Sequence, residues 1–144
     1  MIATVEINLT NVKKNWLYLN KLSSKETQTG AVVKANAYGL GVSKIAQALW
    51  EVGAKSFFVA TMEEAIELST YLPKGKKIYV LNGYHERYKL ALDEFSIIPV
   101  LNSPAQLISF LNFNPKNKAC LQIDVGMRRL GFQNEELDKY KHLI

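Results

Sequence analysis

Ser56-Phe57-Phe58-Val59-Ala60-Thr61-Met62-Glu63-Glu64-Ala65-Ile66-Glu67-Leu68 holds a strand and the start of a helix with one capping residue between them. Residues 56–60 form a short apolar run of the kind a buried strand carries. Thr61 then offers a side-chain oxygen to the first turn of a helix, and Glu64, three residues on, completes a capping box. Behind that cap, Ala65, Ile66, Leu68 and Leu72 recur at helical spacing until Pro73 ends the run.

The same unit repeats outward in both directions. Upstream, Ala31-Val32-Val33 is a short apolar strand ending in Lys34. A helix follows, with Ser43 as its expected N-cap, Ile45, Ala46, Leu49 and Val52 on one face, and Gly53 as its stop. Downstream, residues 77–81 read as a strand, Asn82-Gly83 as a turn and 86–93 as a short helix. Ile97-Ile98-Pro99-Val100 reads as a strand that Pro99 weakens. Ser103-Pro104 opens a helix through Leu107, Ile108 and Leu111, with proline at its first position. Residues 119–123 make a fifth strand and 134–142 a last helix, while 3–7 alternate like a strand and 10–22 read as an amphipathic helix. Strand-helix units in series with short connections predict an α/β fold with a parallel sheet, its strands apolar because both faces are covered. Two architectures fit: an open doubly wound sheet, or part of a (β/α)8 TIM-type barrel. No glycine-rich phosphate motif follows the first strand.

The 144 residues suit one domain, and 48% hydrophobic with 22% charged residues is ordinary globular composition. Cys120 has no partner for an internal bridge and sits in an apolar run, so a buried thiol in a reducing compartment is expected. Glu6 and Asn8 interrupt the opening residues, and no apolar run approaches the roughly 20 residues that cross a bilayer. A cytoplasmic protein without a membrane partner is therefore expected. The net charge of +5 comes from scattered lysines, the densest group being Lys74, Lys76 and Lys77 in an expected loop. Nucleic-acid binders concentrate charge on one face, so none is expected as partner. His85 lies among Tyr79, Tyr84 and Tyr88 without a second metal ligand at suitable spacing, so it is read as a surface residue and no metal is expected. Phe57, Phe58, Phe110 and Phe113 are read as core.

The informative residue is Lys34. The carboxyl end of a strand is where βα folds project their reactive groups. An amine drawn out of water there can attack a carbonyl and form a Schiff base, although position alone favours the plainer alternative, a lysine that ends the strand with its charge in water. The run Val32-Val33-Lys34-Ala35-Asn36-Ala37-Tyr38-Gly39-Leu40-Gly41 closely resembles the attachment motif for pyridoxal 5'-phosphate (PLP) in alanine racemases. The resemblance implies that Lys34 holds the cofactor and that Tyr38 lies beside its phosphate. Leu40 stands where a histidine is often found.

Far along the chain, Gln122-Ile123-Asp124-Val125-Gly126-Met127-Arg128-Arg129-Leu130-Gly131-Phe132 resembles the same family's D-T-G-M-x-R-L-G segment. On that match Arg129 reaches the cofactor's phenolic oxygen, a role that suits a guanidinium that never loses its charge. Arg128 falls on the variable position and reads as surface. Gln122 stands where some members carry a carbamate-modified lysine, and its amide is expected to accept a hydrogen bond from the arginine. Val125 replaces a threonine and Asn8 an aspartate, within a stretch, Val5-Glu6-Ile7-Asn8-Leu9, that otherwise looks like the family's opening strand.

The resemblance implies that residues 1–144 are the N-terminal part of a PLP-binding barrel domain, without the C-terminal domain. A closed barrel takes roughly 250 residues and eight strands. The function implied is a PLP-dependent isomerase that interconverts L-alanine and D-alanine through a Lys34 Schiff base and supplies D-alanine for the cell wall. Its second base would be a tyrosine on the C-terminal domain of a partner subunit. Alanine, and a homodimer partner or a complementing C-terminal chain, are thus the expected partners. The alternative from another class is a non-catalytic PLP-binding fragment or remnant of the same fold. A different PLP enzyme or carrier on the same barrel is a third, against which the Ala-Asn-Ala-Tyr-Gly run argues.

Overall fold

Each of the five apolar runs forms a strand, and each pairs in parallel with its neighbour in sequence. The computed structural model describes residues 3–113, 116 and 118–144. The strands are β1 (Ala31–Val32), β2 (Ser56–Val59), β3 (Lys77–Val80), β4 (Ile97–Leu101) and β5 (Cys120–Leu121), in the spatial order β1-β2-β3-β4-β5. A doubly wound sheet reverses its strand order at a switch point, whereas a barrel keeps sequence order all the way round. No reversal occurs among these strands, so the barrel-type progression holds and the open doubly wound alternative falls.

The register explains the core. Ala31, Phe57, Ile78 and Ile97 stand side by side across four strands, and all are buried. One residue later, Val32, Phe58, Tyr79 and Ile98 form the row on the opposite face. Val32 is 48% exposed and the other three are half-buried, with the Phe58 and Tyr79 rings stacked 4.6 Å apart. Helices cover the first face; the second keeps a partly bare apolar row. The expectation of cover on both faces therefore holds for one face only.

The helices are α1 (Leu9–Lys21), the short turn α2 (Lys34–Tyr38), α3 (Val42–Glu51), α4 (Met62–Tyr71), α5 (Lys89–Phe95), α6 (Pro104–Phe113) and α7 (Asn134–Tyr140). Helix α1 packs on α3, α3 on α4 and α4 on α5, the succession expected when right-handed crossovers leave all helices on one side. The Thr61 and Glu64 capping box of α4 is present as read. Asn8 also has a structural role, since its side chain accepts from the Asn11 amide at 3.0 Å and caps α1.

Four expectations are corrected. Residues 3–7 form no strand; Val5 is 82% exposed, and an alternating pattern without a neighbouring strand has no ladder to hold it. Helix α3 begins at Val42, ahead of Ser43, because the Asn36 side chain reaches forward and accepts from the Val42 amide at 2.8 Å. Pro99, by contrast, sits inside β4, which forms as a strand as read. Leu101 turns its carbonyl toward β5 to accept from Gln122 at 2.9 Å, Pro99 turns the same way, and β5 pairing starts only at Val100, so the missing N–H forfeits no ladder bond there. Finally, β5 is shorter than read, extended by a single bridge between Ile123 and Phe132, and Cys120 is half-buried.

Among the described residues, no helix is long and apolar enough to cross a membrane. One-sided cover predicts unequal core losses. Phe57→Ala should cost about 3–5 kcal/mol in urea unfolding, and Phe58→Ala less than half of that. Equal losses would contradict the one-sided arrangement.

Candidate active site

The carboxyl end of β1 carries Lys34, and the backbone around it is unusual. The Val33 amide donates to the Phe58 carbonyl at 2.9 Å, continuing the ladder to the foot of Lys34. From the next residue the chain turns left-handed: Ala35, Asn36, Ala37 and Tyr38 have φ of 52°, 53°, 54° and 55°. That region costs an L-residue about 1–2 kcal/mol, so four in succession need external support.

The support is visible. The Ala37 amide donates to the Val33 carbonyl and the Gly39 amide to the Ala35 carbonyl, each at 2.9 Å. The Gly41 amide donates to the Asn36 carbonyl at 3.0 Å, and the Asn36 side chain caps α3. Ala37 is buried in the core. The Ala35 amide donates to Glu64 Oε1 at 2.7 Å, a charge-assisted bond of the class worth about 1.5–3 kcal/mol. Gly39 continues the run at φ of 82° and Gly41, past Leu40, returns to positive φ at 90°, each with open space where a Cβ would stand, so conformation is what asks for glycine there. Lys34 emerges half-buried, and Tyr38 is 62% exposed.

The loop after β5 is pinned by a carboxylate. Asp124 Oδ1 accepts from the amides of Gly126 at 2.9 Å and Arg128 at 3.0 Å, and Oδ2 accepts from the Gln133 side chain at 2.8 Å. The Arg128 amide, then Gln133, then the Gly126 amide pull the Asp124 pKa from 3.8 to about 2. Gly131 brings the loop back against the strand: a Cβ there would lie 2.8 Å from the Asp124 nitrogen. Fully buried Phe132 anchors the return, its amide donating to the Gln122 carbonyl at 2.8 Å. Gln122 Nε2 donates to the Leu130 carbonyl at 3.2 Å, and among the described residues the expected hydrogen bond from the Arg129 guanidinium to this amide is not formed.

Arg129 and Arg128 are exposed and line a cavity of about 470 Å³ with Asn102, Asp124 and Gln133. Asn102 is 6% exposed; its Nδ2 donates to the Leu81 carbonyl at 2.8 Å, which fixes the amide's orientation. Its Oδ1 is buried and has no partner among the described residues. Gln106 ties the neighbouring ends together, accepting from the Asn102 amide and donating to the Asn82 carbonyl.

The structure thus places Lys34 and Tyr38 in one turn after β1 and Arg129 in the loop after β5, all at the carboxyl ends of the strands. It does not put Arg129 beside Lys34: the two stand at opposite edges of the sheet, four strand steps apart. His85 is exposed, and no group of residues able to hold a metal occurs among the described residues. Sequence reading missed Asp124, Asn102, Gln106 and the second contact of Glu64. For Asp124 a signal existed, since Asp followed two residues later by Gly is an Asx-turn pattern.

The Asp124 carboxyl gives a pH prediction. Its folded pKa lies below the unfolded value of about 3.9. The stabilisation it brings to this loop is therefore present above pH ~4 and lost as pH falls through about 2. Carboxyl NMR titration should find Asp124 near 2; titration near 4 would contradict the pinned loop.

Comparison with known proteins agrees with this architecture. The family described as alanine racemase, N-terminal domain, matches residues 7–144. An alanine racemase of Cereibacter sphaeroides is 41% identical over 134 residues, covering 93% of this chain and 38% of that protein. One from Rickettsia africae is 41% identical over 142 residues, covering 96% and 40%. The crystal structure of alanine racemase from Bartonella henselae, described with covalently bound pyridoxal phosphate, matches with a TM-score of 0.85 at 38% identity, covering 93% of this chain and 40% of that one. That from E. faecalis matches with a TM-score of 0.86 at 28% identity, covering 96% and 38%. The chain spans about two fifths of the length of these relatives. With the motif loops after β1 and β5 carried on strands in unbroken order, the chain belongs to the family of the alanine racemase N-terminal domain.

Proposed function

We propose that this chain supplies the lysine-bearing part of a PLP-dependent racemase that interconverts L-alanine and D-alanine, in the cytoplasm, for cell-wall synthesis. Residues 1–144 are read as the N-terminal part of its barrel domain, acting with a C-terminal domain or partner subunit. The observation that carries this is the position of Lys34, half-buried at the end of β1 and held by a left-handed turn.

The residues present fit the cofactor. Lys34 offers a primary amine at a strand end, and Tyr38 an exposed hydroxyl for a phosphate oxygen. Arg129 brings a permanent positive charge beside the unpartnered acceptor of buried Asn102. Strands four steps apart in an eight-stranded barrel face each other across its mouth, which lets groups from β1 and β5 serve one ligand.

When bound, PLP supplies an electron sink that makes the α-proton of an amino acid removable. Lys34 would be the residue that holds the cofactor, and its Nζ would carry a proton on one face of the substrate. Arg129 sets the charge of its hydrogen-bond partner, since a guanidinium donates and does not give up its proton. Inversion also needs a proton group on the opposite face, which this reading assigns to a tyrosine of the partner's C-terminal domain.

The second reading is a chain that binds PLP without turnover. The exposure of Tyr38 and the half-bare row of Val32, Phe58, Tyr79 and Ile98 favour it, because both leave the site open to water.

Borohydride treatment in the presence of PLP should fix one pyridoxyl group on Lys34, located by peptide mass spectrometry, and Lys34→Ala should abolish it. Unchanged labelling in the variant would remove Lys34 from the mechanism. A racemase assay, on the chain alone and mixed with a C-terminal domain from a relative, separates turnover from binding.

A further inference from the structure

Glu64 does more than cap α4. Its Oε2 accepts from the amides of Ala60 at 2.7 Å and Thr61 at 3.3 Å, which closes the capping box. Its Oε1 reaches another part of the fold and accepts at 2.7 Å from the amide of Ala35, the residue after Lys34. A capping box requires only the contact to the Thr61 amide; the contact to the Ala60 amide strengthens the same end of the helix, and neither has a use for the one to Ala35.

We propose that Glu64 is a positioning residue for the attachment lysine: its carboxylate locks Ala35 into the left-handed region and thereby holds Lys34 in one orientation. The inference rests on the PLP reading and deepens it. Ala35 is the first of four residues with positive φ, so its geometry sets the direction of the whole turn. A charge-assisted hydrogen bond at that residue opposes relaxation to the ordinary right-handed region. The lock also joins β1 to the β2–α4 junction across 29 residues of sequence, so Lys34 moves with the sheet and not with a free loop.

The chemistry of Glu64→Gln isolates this role. Glutamine still serves a capping box, but it has one acceptor oxygen where the carboxylate has two. Two amides compete for that oxygen on the cap side and one on the Ala35 side, so the oxygen stays with the cap. The glutamine NH2 then faces the Ala35 N–H, donor against donor. Thr61→Ala is the matching control: it removes the other half of the capping box, the Thr61 oxygen that accepts from the Glu64 amide, and leaves the carboxylate contacts intact.

Amide hydrogen exchange on the whole chain without cofactor provides the first readout. In Glu64→Gln, Ala35 and Ala37 should exchange about tenfold faster while Ala60 and Thr61 keep their protection. Borohydride-fixed PLP labelling of Lys34 provides the second and should slow by a similar factor, while Thr61→Ala labels at the parent rate. Unchanged exchange at Ala35 in Glu64→Gln, or equal slowing of labelling in both variants, overturns the proposal. Labelling that persists in Lys34→Ala would instead overturn the PLP reading and leave the exchange result standing.

Discussion

A left-handed backbone over four consecutive non-glycine residues is a conformation that the chain does not hold by itself, and the carboxyl end of this sheet is organised around holding it. Ala35 through Tyr38 lie between β1 and α3, where a relaxed chain would simply turn with glycine. Here the turn is enforced by Val33 from the strand, by the Asn36 side chain from within, and by Glu64 from the neighbouring unit. Strain kept this way clusters at functional positions because the surrounding contacts over-determine it. Lys34 is the residue that inherits the resulting rigidity.

The other edge of the sheet, at the same carboxyl end, solves the same problem with different parts. The loop carrying Arg129 has a positive φ at Arg128, a carboxylate from Asp124 gathering its amides, and Gly131 pressed against the strand backbone. Between the two loops, Asn102 and Gln106 tie β3 to β4. Polar side chains thus link neighbouring strand ends on the face where Lys34, Tyr38 and Arg129 stand, while packing against the helices holds the sheet from below. A displaced Lys34 or Arg129 would follow from loss of these links with the core still folded.

What the sequence reveals depends on how local the cause is. The strand runs and the Thr61–Glu64 cap are legible because each is written in a few adjacent residues. The start of α3 is not, since its cap comes from Asn36 through the left-handed turn. Residues 3–7 alternate correctly for a strand, but alternation describes one edge of a pairing and says nothing about the neighbour it needs. Pro99 is tolerated for a reason visible only in the pairing direction. At the candidate site, Lys34, Tyr38 and Arg129 are proposed through resemblance to two motifs; position alone favours reading Lys34 as a strand-end charge in water. The second contact of Glu64 is out of reach of any local reading, because its partner lies 29 residues away.

The turn after Lys34 is left-handed and held against its own preference, and that can be measured directly. Glycine at the exposed Ala35 position removes a left-handed penalty of about 1–2 kcal/mol and adds about 0.5–1 kcal/mol of unfolded-state entropy. Urea unfolding of Ala35→Gly should therefore show a gain of about 0.5–1 kcal/mol in stability. A loss of similar size, the usual result of placing glycine in a right-handed helix, would contradict the account.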